Sequence, residues 1–125
     1  MGFLRRLFGG NDKVEPADGR EEHAVILHFK LAGETPTTEE AARYRALREE
    51  LARAIVGDAA GQMGGDEWSG GECVMHACGR DAERLWDAIM PVLEERPFPR
   101  GSYAIKRFGG PESSEIERVR IEWDG

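Results

Sequence analysis

The sequence predicts an α+β fold in which two amphipathic helices cover one face of an antiparallel sheet. Three observations carry this expectation. Ala24 to Leu31 is a run rich in β-branched and aromatic residues with Val25, Leu27, Phe29 and Leu31 on one side, the period of a strand. Ala41, Tyr44, Leu47, Leu51, Ala54 and Ile55 then recur at helical spacing. Glycine pairs at 64–65, 70–71 and 109–110 punctuate the rest at intervals that suit hairpins.

The first strand ends before Pro36, and Thr37 followed three residues later by Glu40 has the form of a capping box, each side chain accepting from a backbone donor of the other residue. One helix is therefore expected from about residue 38 to the high fifties, fading toward Gly57 and Gly61. Its other side carries Arg43, Arg45, Arg48, Glu49, Glu50 and Arg53, a solvated face with surface ion pairs. Next come a short strand around Trp68, a turn at Gly70-Gly71 and a longer strand from Glu72 to Cys78. Asp81 is placed to cap a second helix containing Leu85, Trp86, Ile89, Met90 and Leu93. Pro91 lies inside it, and because proline lacks a backbone donor the helix is expected either to kink there or to restart with Pro91 in a first turn. Two strands close the chain, Tyr103 to Phe108 and Ile116 to Trp123. The first six elements match the split β-α-β pattern of ferredoxin-like folds, βαββαβ, with the last strand added at an edge and a strand order of 5-4-1-3-2.

With 125 residues the chain fits one domain able to bury about two-thirds of its unfolded surface without a metal or disulfide. Residues 1–22 read as a flexible N-terminal arm and 23–125 as the domain. The arm opens with Phe3-Leu4-Arg5-Arg6-Leu7-Phe8, too short to span a bilayer. It reads as a frayed turn or docking segment, with weak membrane contact as the alternative. No transmembrane segment is expected. The formal net charge of -7 works against non-specific binding to nucleic acid. Cys73 and Cys78, five residues apart in one strand, should have Cα atoms about 16 Å apart, beyond the ~7 Å a disulfide tolerates. Free thiols and the missing signal peptide point to a cytoplasmic protein.

Strand periodicity divides the residues between two faces. Val25, Leu27, Phe29, Cys73, Met75, Ala77, Val119, Ile121 and Trp123 are assigned to the core. Tyr103 and Arg107 are taken as outward in the ambiguous fourth strand. The face left open by the helices then combines His28, Lys30, His76, Tyr103, Arg107, Arg118 and Arg120 with Ile26, Val74 and Ile105, a mixed basic and apolar patch on an acidic molecule. These seven polar residues are the candidate binding site. The uses weighed for it are an acidic segment of a protein partner, a second copy of the chain, or single-stranded RNA stacked on aromatics. Set against all three is an ordinary solvated sheet face. His28, His76 and Cys78 form a rival constellation for a metal- or thiol-dependent activity, since three N and S ligands suffice for an open zinc site, but their spacing matches no zinc signature. No catalytic residue, metal ligand or cofactor is assigned: Ser69 lacks a nucleophile elbow, and the glycine pairs lack the Gly-Lys of a phosphate loop.

Gly70-Gly71-Glu72, Gly79-Arg80-Asp81-Ala82, Pro91-Val92-Leu93, Gly101 and Arg107-Phe108-Gly109-Gly110-Pro111, with the elements between them, resemble small bacterial domains of unassigned function over somewhat under half of the chain. In element order alone the chain resembles the regulator of ribonuclease activity B family, which implies action by binding a protein partner. No residue role carries over from that likeness. The expected function is a non-enzymatic protein-binding or regulatory module, with metal or thiol chemistry and RNA binding as the alternatives.

Overall fold

The computed structural model describes residues 22–122. Residues 1–21 of the N-terminal arm, and Trp123, expected in the core, lie outside this range. The elements in chain order are β1 (His23–Lys30), α1 (Thr38–Gly57), β2 (Gln62–Ser69), β3 (Glu72–Gly79), α2 (Ala82–Leu93), β4 (Tyr103–Arg107) and β5 (Ile116–Arg120). All five strands join one antiparallel sheet in the order β2-β3-β1-β4-β5, the neighbours expected from the sequence.

Helix α1 begins where the capping box places it. The Thr37 hydroxyl accepts from the Glu40 amide at 3.0 Å and the Glu40 carboxylate accepts from the Thr37 amide at 2.9 Å. The second Glu40 oxygen accepts from the Ala32 amide at 2.9 Å, tying the β1–α1 loop to the helix start. These backbone bonds, to Thr37 and then Ala32, hold the Glu40 carboxyl below its ordinary range. Helix α2 is capped by Asp81, whose carboxylate accepts from the Glu83 amide at 2.9 Å, and by the His23 ring, whose Nδ1 accepts from the Ala82 amide at 3.1 Å. It runs unbroken through Pro91 to Leu93, so the restart expected there does not occur. Pro91 sits in the last turn on the exposed side, where the carbonyl it leaves unpaired can meet water.

Both helices pack on one side of the sheet. Tyr44, Leu47, Leu51 and Ile55 of α1 and Leu85, Ile89 and Leu93 of α2 share a single core with Val25, Leu27, Phe29, Cys73, Met75, Ala77 and Ala104. Phe29 lies at its centre, stacked on Tyr44 (5.1 Å between centroids) and on Phe98 (5.0 Å).

Three expectations require correction. β2 is an eight-residue strand, not a short one around Trp68. Gly64-Gly65 lies within it, in a β-bulge between Met63 and Asp66. The bulge is fastened from α1: the Arg48 guanidinium donates to the Gly64 carbonyl and lies 3.9 Å from the Asp66 carboxylate. The last strand stops at Arg120 instead of reaching Trp123, although Ile121 remains fully buried, its amide donating to the Ser102 carbonyl at 3.1 Å. Val119, assigned to the core, is half-buried because it stands on an edge strand at the margin of the helical layer.

The α1–β2 loop approaches the end of β3 closely. A β-carbon at Gly61 would fall closer than 3.0 Å to the Cys78 carbonyl oxygen, and one at Gly79 equally close to the Ala60 carbonyl oxygen. Gly61 also has φ +151°, a conformation that side-chain-bearing residues rarely adopt. By contrast, Gly70 and Gly71 (φ +62° and +79°) form the two-residue hairpin turn whose twist suits β2 and β3.

Candidate functional site

The uncovered face of the sheet gathers the predicted site residues, and the strand registers fix their arrangement. Opposite residues share a face. The pairs Glu67–Val74, Val74–His28, His28–Tyr103 and Tyr103–Arg120 therefore make one continuous row across all five strands. One step along the strands lies the row His76–Ile26–Ile105–Arg118. Glu72 and Lys30 are opposite each other on one side of these rows, and Cys78, Ala24, Arg107 and Ile116 are aligned on the other. The outward assignment of Tyr103 and Arg107 agrees with the half-exposure of both, while Ala104 and Lys106 are buried on the helix side.

Side chains on this face hold one another. The His28 ring stacks on Tyr103 with centroids 4.4 Å apart and planes 10° apart, and the Arg118 guanidinium lies 3.9 Å from the Tyr103 centroid. Because β1 and β5 flank β4, Tyr103 is sandwiched between the two. On its far side His28 reaches Glu72, Nδ1 to Oε1 at 3.2 Å. The result is a chain of contacts, Glu72–His28–Tyr103–Arg118, across four strands. Each link is modest, about 0.5–1 kcal/mol for an exposed cation–π or ion pair, but together they fix rotamers that would otherwise be free. Arg107 is held as well, donating from Nε to the Gly109 carbonyl at 3.1 Å.

This face is not uniformly basic, as the listing of its His, Lys and Arg residues alone suggested. Glu67 and Glu72 stand at the β2–β3 end, and Arg107, Arg118 and Arg120 at the β4–β5 end, with Val74, Ile26 and Ile105 between. Both acids were legible: Glu72 alternates with Val74 and His76, and Glu67 lies three residues before the Gly70-Gly71 turn as Val74 lies three residues after it.

The rival constellation is not brought together. His28 pairs opposite Val74, His76 opposite Ile26 and Cys78 opposite Ala24, so the three spread along the sheet instead of converging. His28 turns to Glu72, and His76 Nδ1 lies 3.2 Å from the Gly65 carbonyl. Among the described residues no group of three or more His, Cys, Asp or Glu side chains is placed to hold a metal ion. The cysteines are free and, five residues apart, point to opposite faces. Burial pushes the Cys73 thiol up to about 12; burial, reinforced by the Glu22 carboxylate, pushes Cys78 up to about 11. Both are neutral at physiological pH, and a neutral thiol is a poor nucleophile.

A cleft of about 390 Å³ lies where the α1–β2 loop meets the end of β3 and the start of α2, lined by Glu22, Gly61, Cys78, Arg80, Asp81 and Arg84 among others. Its charges are of both signs, Arg84 is engaged with the Asp58 carbonyl at 3.1 Å, and burial holds the Cys78 thiol in its neutral form.

One charged residue that the strand alternation turned inward was not singled out from the sequence. Lys106 is 5% exposed on the helix side of β4, its ammonium 3.1 Å from Glu83 of α2, 3.2 Å from Glu117 of β5 and 5.6 Å from the Trp86 ring centroid. It clamps the edge of the helical layer to the sheet.

No known family model matches the chain, nor does any curated protein or solved structure. Among the described residues no helix is long and apolar enough to cross a membrane. The functional reading therefore rests on the geometry of the open face.

Proposed function

We propose that the chain is a non-enzymatic protein-binding or regulatory module that engages its partner through the open face of a ferredoxin-like sheet extended by one edge strand. The observation that carries this reading is the interlocked row Glu72–His28–Tyr103–Arg118 beside the half-exposed Ile26, Val74 and Ile105. An interface needs apolar area flanked by polar groups already held in place, because side chains fixed before binding lose less entropy when a partner arrives, about 0.5–1.5 kcal/mol for each. Neutral thiols and separated imidazoles favour binding over catalysis. The likeness in element order to the regulator of ribonuclease activity B family points the same way, and two unpaired thiols suit a reducing compartment such as the cytoplasm.

RNA is less well served. Base stacking needs a free aromatic face, and Tyr103 is covered on one side by His28 and on the other by Arg118.

A pull-down with the intact chain as bait tests the reading. The double variant Arg118→Glu, Arg120→Glu reverses charge at β5 without touching the core, so its melting temperature should stay within a few degrees of the parent while the retained partner is lost. Retention of the same partners by the folded variant would reject the open face as the binding surface.

A further inference from the structure

We infer that the partner on this face is a second copy of the chain, packed face to face about a two-fold axis parallel to the strands. This inference rests on the reading of the open face as a protein interface and names its occupant.

The argument is one of self-complementarity. A closed homodimer must match a surface to itself. Rotation by 180° about an axis parallel to the strands, running between the two sheets at β1, lays β5 of each copy over β2 of the other and β4 over β3. Levels along the strands are preserved. Glu67 and Arg120 are the two ends of one row, Glu67–Val74–His28–Tyr103–Arg120. In the dimer Glu67 therefore faces the partner's Arg120, and Arg120 faces the partner's Glu67. Arg120 is within reach: its side chain is 80% exposed and is held in the single chain by an ion pair to Glu122 as long as 3.9 Å. At the axis Ile26 and His28 of β1 each meet their own copies, Ile26 flanked in its row by Ile105 and His76, and His28 in its row by Tyr103 and Val74. Packed sheets cross at roughly 30°. At the edge strands, about 10 Å from the axis, this displaces the charges by about 5 Å, which long Glu and Arg side chains span.

Size and edge chemistry agree. Five strands spaced about 4.8 Å apart and roughly 20 Å long give a face of about 500 Å² in projection. Side-chain relief raises its accessible area toward the ~800 Å² per partner of a stable interface. The alternative route to a dimer, edge-to-edge pairing of β5 with itself, sets like charges opposite each other in any two-fold register centred on residues 117–119. The facing pairs are Glu117 with itself, Arg118 with itself, or Arg118 with Arg120. The other edge, β2, carries the bulge. Nor does the net charge of -7 on each chain forbid association, because at physiological ionic strength repulsion is screened beyond about 8 Å while contact pairs are not.

The test is a charge exchange followed by sedimentation equilibrium of the full chain near 150 mM salt, with circular dichroism to confirm folding. Both sites are exposed surface positions, so all variants should fold. The parent should dimerise, Glu67→Arg and Arg120→Glu should each weaken the dimer at least about ten-fold, and the double exchange should restore it to within about three-fold of the parent. A dimer indifferent to both single changes, or single losses that the double exchange does not repair, would overturn the two-fold arrangement. A parent that stays monomeric at high concentration also overturns it, while leaving open-face binding of another protein intact. That broader reading fails separately, if the folded Arg118→Glu, Arg120→Glu variant keeps the parent's partners.

Discussion

Alanine at Gly61 or Gly79 is expected to destabilise the domain more than any other one-methyl change. At both positions the new β-carbon collides with a backbone carbonyl, of Cys78 and Ala60 respectively, and backbone cannot rotate out of the way as a side chain can. Overpacking of this kind costs about 3 kcal/mol or more, and Gly61 adds the strain of a positive φ. In a domain of this size that lowers the melting temperature by roughly 12–24 °C. Gly57 supplies a control of opposite sign. It ends α1 with open space around it and no positive φ, so Gly57→Ala should leave stability unchanged or raise it by up to about 1 kcal/mol. Thermal melts of the three variants decide the matter, and equal behaviour of Gly57→Ala and Gly79→Ala would show that the loop is not wedged against β3.

The second large effect is at Lys106. Removing the side chain with Lys106→Ala deletes the ion pairs to Glu83 and Glu117, the contact of the ammonium with the Trp86 ring and the buried volume of the stem, and should cost about 2–3 kcal/mol. Lys106→Met should cost less than about 1 kcal/mol, since it restores the apolar volume and the Glu83 and Glu117 side chains, both 55% exposed, remain hydrated. Burial of the ammonium pulls its pKa down, but the hydrogen bonds and charges of Glu83 and Glu117 more than offset this and leave it above the ordinary 10.5. A raised pKa means that the folded state holds the proton more tightly. The resulting stabilisation is complete below pH 10.5 and is lost as pH rises through the folded value. Denaturant midpoints for the parent and Lys106→Met should therefore differ by a constant amount from pH 7 to 10 and converge above it. Divergence at high pH would mean that the lysine is neutralised in the fold.

Much of this architecture was written in short local signals. The Thr37–Glu40 capping box, the Gly70-Gly71 hairpin and the alternation of β1 and β3 each depend on residues within a few positions of one another. What escaped the sequence depends on distant contacts. Gly64-Gly65 has the composition of a turn but lies in a bulge whose Gly64 carbonyl accepts from Arg48, sixteen residues earlier on α1. The outward assignment of Tyr103 and Arg107 already put Lys106 on the helix side; what the local sequence does not carry is its ion pairs with Glu83 and Glu117, which come from α2 and β5. At the candidate site the basic and aromatic residues were identified, whereas the acids Glu67 and Glu72 were passed over. Their inclusion turns a basic patch into a surface with two oppositely charged halves. The separation of His28, His76 and Cys78 follows from register, which the hydrophobic pattern fixes only once neighbouring strands are paired.

Hydroxyl-radical footprinting of the intact chain, alone at low concentration and then in its bound or associated state, tests most directly where function resides. The open-face account predicts that Ile26, His28, Tyr103 and Ile105 become protected together while the exposed outer side of α1, including Arg45, Arg53 and Val56, reacts as before. Protection of α1 with the open face unchanged would contradict it.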